Sequence, residues 1–145
     1  MLKWVLFIRY PDGADKEAAD QWYLNVHTQD ARTLAGKGVV SYRTYRCVDA
    51  QFPPPWSAGV AEFNDWDRVT EFEFRDWDGW RESFTENDPA WRPPDFDVPE
   101  TPEVPGSLVR GRGVGGFESV SCFIETEPEY DLLSETPPGA VPAQR

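Results

Sequence analysis

The chain has 145 residues, 26 acidic and 14 basic, for a formal net charge of −12 and a pI of about 4.4. That length suits one domain with its own core, and the charge argues against a nucleic-acid or anionic-membrane partner. One histidine excludes polyhistidine metal sites, and no apolar run approaches the roughly 18–20 residues that a spanning helix needs.

Residues 2–10 alternate, with Leu2, Trp4, Leu6, Ile8 and Tyr10 on one face and Lys3, Val5, Phe7 and Arg9 on the other. Both faces are largely apolar, which predicts a strand covered on two sides. This opening run is too short and too β-like for a signal peptide. Pro11-Asp12-Gly13 predicts a turn. Over 15–35 the period becomes helical: Ala19, Trp22, Tyr23, Val26 and Leu34 form a stripe, with Asp20, Gln21, Gln29 and Arg32 outside it. Asp15 is the expected N-cap, and Gly36-Lys37-Gly38 closes the helix. Val39–Val48 is β-branched and aromatic, so a second strand is expected. Arg43 and Arg46 on it point to opposite faces, and one is expected to meet a carboxylate or an anionic substrate group.

A proline-rich connector, Gln51–Pro55, leads to an expected third strand over Trp56–Phe63. Asn64 and the acids after it predict a helix running through Val69 and Phe72 to about Trp80, with Glu71 and Glu73 on its polar face. Residues 86–106 are proline-rich and without period, too long for an idle connection; they predict a lid plugged by Trp91 and Phe96, or an arm on a partner subunit. Gly111–Gly116 reads as flexible, and Phe117–Glu125 alternates as a last strand. The order β-α-β-β-α-β predicts an α+β, ferredoxin-like domain: an antiparallel four-stranded sheet with both helices on one face. The domain spans 1–127, with a proline-rich insert at about 84–115, and an acidic, proline-rich tail follows over 128–145. Val5 and Phe7 leave the other sheet face apolar, so a homodimer joined sheet to sheet is expected.

His27, four residues after Tyr23 and just off the apolar stripe, is placed at the helix–sheet edge where a cavity would open. Imidazole is the side chain best suited to proton transfer near neutrality, and Tyr23 stands close enough to bond it or to hold a substrate oxygen. The bland alternative is a histidine that only stabilises a helix end. Seven tryptophans suggest an aromatic-walled cavity or large structural anchors. Expected ligand contacts are Trp4, Ile8, Tyr45, Glu62, Trp66 and Trp91, with Glu62 a second acid–base candidate if it points inward. The acidity concentrates in residues 51–105, most simply as a solvated face. Asp76-Trp77-Asp78-Gly79 lacks the further oxygen ligands of a calcium loop, and the Gly111–Gly116 run fails the strand-then-helix context of a dinucleotide site. No metal and no cofactor is expected. Cys47 and Cys122 sit in apolar-patterned runs, which favours reduced thiols and a cytoplasmic location.

Lys3-Trp4-Val5-Leu6-Phe7-Ile8-Arg9, Glu17, Asp20-Gln21-Trp22-Tyr23 and Val26-His27 together resemble the EthD-like branch of the dimeric α/β-barrel superfamily. The resemblance covers residues 1–85 and 116–125. It implies a small cavity between sheet and helices, and relatives that include cofactor-independent monooxygenases, lactone isomerases and polyketide cyclases acting on hydrophobic cyclic compounds. The resulting expectation is a small cofactor-independent lyase, isomerase or cyclase of secondary metabolism, acting on a hydrophobic oxygenated ring compound with His27 as general acid–base. The alternatives are a cofactor-free monooxygenase and a non-catalytic binding protein for such a metabolite.

Overall fold

The computed structural model describes residues 1–34, 36–48, 66–85, 91–98, 111–112 and 117–142. Strand β1 spans Leu2–Arg9 and lies at the centre of one antiparallel sheet. Pro11 to Gly13 then turn the chain, with Ala14 N donating to Pro11 O at 3.1 Å and Gly13 at φ 74°. The Asp15 carboxylate accepts from Ala18 N at 2.7 Å and starts helix α1, Lys16–Trp22. The helix does not continue regularly: Tyr23–His27 form a π turn before α2, Thr28–Arg32. Strands β2 (Val39–Arg46) and β3 (Arg68–Phe74), helix α3 (Trp77–Phe84), the two-residue β4 (Gly111–Arg112) and β5 (Glu118–Glu125) follow.

The sheet order is β2-β3-β1-β5-β4. Without β4 this is the ferredoxin-like arrangement, four antiparallel strands with the helices on one face. The short β4 is an addition, since Gly111 and Arg112 pair with Ser119 and Glu118 in a stretch expected to be only flexible. Strand β3 corrects the sequence expectation more seriously. Arg68, Thr70, Phe72 and Phe74 are buried while Val69, Glu71 and Glu73 are half-buried. That two-residue alternation of β-branched and aromatic side chains wins over the local capping signals. Asp67, taken as part of a helix start, instead accepts from Tyr10 N at 2.7 Å and Lys16 Nζ at 3.1 Å and staples the end of β1. The helix begins nine residues later, where Asp76 accepts from Gly79 N at 2.8 Å. The strand expected over Trp56–Phe63, and Glu62 with it, lies outside the described residues.

Register assigns the two faces. Trp4, Leu6 and Ile8 lie opposite Phe72, Thr70 and Arg68 on one side and Phe123, Ser121 and Ser119 on the other. This is the face the helices cover. Ile8, Tyr10, Ala19, Trp22, Tyr23 and Phe117 form one core cluster; Leu2, Ala31, Phe72 and Phe74 form another, with Trp80 and Phe84 of α3 packed on it. The opposite face carries Val5, Phe7, Val69 and Val120 among Lys3, Glu71 and Glu73, with Phe7 37% and Ile124 45% exposed. Lys3 sits 3.6 Å from both Glu71 and Glu73.

The loop into β2 and the first turn of α3 touch backbone to backbone. Gly38 has φ 102°, and a Cβ there would lie inside the van der Waals envelope of the Gly79 backbone. Neither a side-chain rotation nor a relaxed φ relieves that contact. Gly38→Ala is therefore expected to cost at least about 2 kcal/mol, read as a lower urea midpoint.

Candidate active site

Between the covered sheet face and the helices lies a cavity of about 310 Å³, near the lower end of the roughly 300–1,000 Å³ typical of ligand pockets. Trp4, Leu6 and Ile8 come from β1, Tyr42 from β2, Thr70 and Phe72 from β3, Trp22, Tyr23, His27 and Ala31 from the first helical segment, and Trp91 from the chain beyond α3. Phe84, Phe117 and Ser119 complete the wall.

The π turn explains how His27 enters. Thr28 N donates to Tyr23 O, one residue further back than in an α-helix. The extra residue sets His27 in line with Ala19, Trp22, Tyr23 and Ala31, half-buried like Val26 beside it. π turns are rare and concentrate at functional sites. The imidazole stacks on Trp22 at 5.3 Å and on Trp91 at 5.0 Å, and lies 5.1 Å from the Tyr23 ring. Its Nδ1 is buried and has no hydrogen-bond partner among the described residues. Burial pushes the His27 pKa below its usual 6.5, and the nearby Asp30 carboxylate offsets only part of that. The ring is therefore neutral at neutral pH.

Tyr23 does not bond the imidazole. Its hydroxyl lies 2.7 Å from Thr70 Oγ1, and Thr70 in turn donates to Thr44 Oγ1 at 3.1 Å. The Tyr42 phenol stands beside that of Tyr23, and burial raises both phenol pKa values. The two tyrosines stay protonated and act as hydrogen-bonding wall groups rather than bases. Behind them is a buried charge cluster. Arg68, with only 4% of its side chain exposed, donates from Nη2 to Asp20 Oδ1 at 2.5 Å and from Nε to Tyr10 Oη at 2.7 Å. Its guanidinium lies 5.4 Å from the Tyr23 ring centroid. Arg46 Nη2 reaches the second Asp20 oxygen at 2.6 Å, so Arg46 is the strand arginine that meets a carboxylate. Asp20, expected outside the helix stripe, is thus held between two arginines and a phenol.

The stretch around Trp91 is tied to the same helix. Asp30 accepts from Arg92 N at 3.0 Å and Arg92 Nε at 2.9 Å, Arg92 Nη2 reaches Val26 O at 3.3 Å, and Trp22 Nε1 donates to Pro93 O at 3.0 Å. Phe96 packs edge-on against Trp22 and Phe117 at about 6 Å. These contacts hold Trp91 over His27. Arg92→Ala should raise the His27 pKa for two reasons: Trp91 covers the ring less, and Asp30 loses the cation that neutralises it. The single histidine makes this a one-resonance NMR titration, and an unmoved or lowered midpoint contradicts the tether.

Of the expected site residues, His27, Tyr23, Trp4, Ile8 and Trp91 line this one cavity. Tyr45 does not: it lies opposite Val69 on the uncovered sheet face and is 48% exposed. Alternation along β2 turns Tyr42, not Tyr45, inward. Trp66 also lies elsewhere, packed on Phe7 at 5.9 Å with the Arg9 guanidinium 5.3 Å from its ring. It borders a separate, polar groove with Tyr10, Lys16, Asp20, Arg46 and Asp67. Trp22, Tyr42, Thr70 and Phe117 were not singled out as ligand contacts. For Trp22 the signal was its tight spacing with Tyr23 and His27; for Thr70 it was the alternation of β3.

A ferredoxin-like sheet with an aromatic cavity beneath its helices defines a small α+β domain with a candidate ligand site. A family model described as "EthD domain" matches residues 11–96, more than half the chain, and the protein belongs to that family, within the dimeric α/β-barrel superfamily. No curated protein and no solved structure matches the chain significantly. Among the described residues no helix is long and apolar enough to cross a membrane.

Proposed function

We propose that the protein is a cofactor-independent lyase, isomerase or cyclase acting on a hydrophobic, oxygen-bearing ring compound, with His27 as general acid–base. The observation that carries this reading is a neutral imidazole, stacked on two tryptophans in the wall of an apolar cavity, with one ring nitrogen left unpaired. A neutral ring nitrogen in reach of a substrate C–H or O–H accepts its proton and returns it at another atom, while the aromatic walls hold the ring and exclude water. Trp91, tied down through Arg92 and Asp30, closes the cavity over that proton. Two free cysteines accord with a cytoplasmic setting. The half-apolar sheet face around Phe7, Val69 and Val120 is proposed to be covered by a second copy, which native mass spectrometry would register as a dimer near twice 16.6 kDa.

Proton abstraction is tested by deuterium uptake. In D₂O the protein should exchange the α-hydrogens of 2-tetralone faster than buffer does, without consuming oxygen, and His27→Gln should abolish the gain. Oxygen consumption with an electron-rich phenol would instead favour a cofactor-free monooxygenase using the same base. Tight binding with no exchange and no product would overturn catalysis in favour of a carrier.

A further inference from the structure

Two polar atoms around this cavity have no partner. Trp4 Nε1 and His27 Nδ1 are both buried without a hydrogen bond among the described residues, and both residues line the cavity. Buried donors and acceptors are rarely left unpaired, because the desolvation cost is not recovered. Two of the other polar wall groups are committed, since Tyr23 bonds Thr70 and Thr70 bonds Thr44; the Tyr42 and Ser119 hydroxyls also line the cavity.

The two atoms sit among different rings. Trp4 contacts Phe72, Phe84 and Phe123 at 5.2–6.1 Å. His27 contacts Trp22, Tyr23 and Trp91 at 5.0–5.3 Å. The sets share no ring, and Trp4 and His27 both border the cavity. Indole Nε1–H is a donor only, whereas a neutral imidazole nitrogen accepts or donates according to tautomer.

We infer that the cavity takes a flat aromatic ligand with two polar groups: a carbonyl or ether oxygen accepting from Trp4 Nε1, and a hydroxyl pairing with His27 Nδ1. The acceptor follows from the indole, which has nothing else to give. The hydroxyl follows from the imidazole, because it serves either tautomer. Stacked walls of Trp, Phe and His suit a planar ring system carrying these groups. The inference rests on the proposed reading of this cavity as the ligand site, but not on His27 moving a proton.

The test uses four probes of similar size: 1-(6-hydroxynaphthalen-2-yl)ethanone, 2-acetylnaphthalene, 2-naphthol and 2-ethylnaphthalene. The first should bind at least tenfold more tightly than either singly substituted probe. Trp4→Phe should erase the advantage of the acetyl group and leave that of the hydroxyl; His27→Phe should do the reverse. In ¹⁵N-labelled wild-type protein the Trp4 indole proton should move downfield on binding the acetyl probes. The Trp80 indole, also unpaired but outside the cavity wall, should stay in place. If Trp4→Phe does not fold, the indole resonance decides alone. Binding of all four probes with equal affinity, or an unmoved Trp4 indole, overturns the inference and leaves the cavity reading standing; it would mean the indole rests on a neighbouring aromatic face. Failure of every probe to bind overturns both.

Discussion

Asp20→Ala is expected to lower the unfolding free energy by about 3–5 kcal/mol, the range for breaking a buried ion pair from one side. Asp20 is the counter-ion of Arg68, whose side chain is almost wholly buried and whose remaining contacts, Tyr10 Oη and Thr44 Oγ1, are neutral. Without the carboxylate, a guanidinium stays inside the protein uncompensated. Arg46, being largely exposed, recovers its hydration and contributes little to the loss. A double change, Asp20→Leu with Arg68→Met, removes both charges and should cost much less than Asp20→Ala alone; chemical unfolding of the three variants measures the difference. Burial opposes ionisation of Asp20, but the bonds from Tyr10 and Arg68 and the charges of Arg68 and Arg46 outweigh it and hold the carboxyl below its usual value. A group whose folded pKa is depressed contributes stability that is complete above its unfolded pKa and lost as pH falls through the folded one. Wild-type stability should therefore decline as pH drops below about 4, and Asp20→Asn should show a flatter decline over the same range.

His27→Ala is the second large effect: at least a tenfold fall in turnover of whichever ring compound the exchange assay identifies, with the fold retained. The fold should survive because the ring fills a cavity wall rather than the interior of either core cluster. The pH profile adds a readout that simple loss of packing does not produce. An imidazole base works in its neutral form, and the His27 pKa is pushed below 6.5. Activity should hold as pH falls to 6.5 and decline only below it, with the acid limb at the pKa that NMR gives for the same residue. The stability sign is the same: the depressed imidazole pKa contributes stability above 6.5 that is lost as pH falls through the folded value. A turnover unchanged in His27→Ala ends the assignment.

Much of the architecture was legible in the sequence because single elements declared themselves. The alternation of Leu2 to Tyr10, the Asp15 cap and the Gly36–Gly38 stop each follow from local geometry, and each is where it was expected. Strand β3 was not legible in this way. Asn64, Asp65 and Asp67 imitate a helix start, and a buried strand next to them competes only through tertiary pairing with β1 and β2. The site divides similarly. His27 and Tyr23 stood out by residue type and spacing, but the π turn that brings the imidazole inward has no period to read. Tyr45 and Tyr42 are three residues apart on a strand, and which of them faces inward depends on the sheet's orientation. The pairing of Asp20 with Arg68 joins positions 48 residues apart, so neither residue alone announced it.

The π turn also sets the spacing of Tyr23 and His27 independently of the fold. A five-residue turn accommodates one residue more than the helix needs, and the segments before and after it keep the phase that packs them on the sheet. Deleting Asn25, whose side chain is exposed, would let the segment relax into ordinary α-helix with Ala19, Trp22, Ala31 and Leu34 still facing inward. Tyr23 and His27 would then sit three residues apart instead of four, on a tighter turn. The shortened protein would keep its imidazole one turn before Ala31, on the same stripe, and would differ only in how that ring is set against Tyr23.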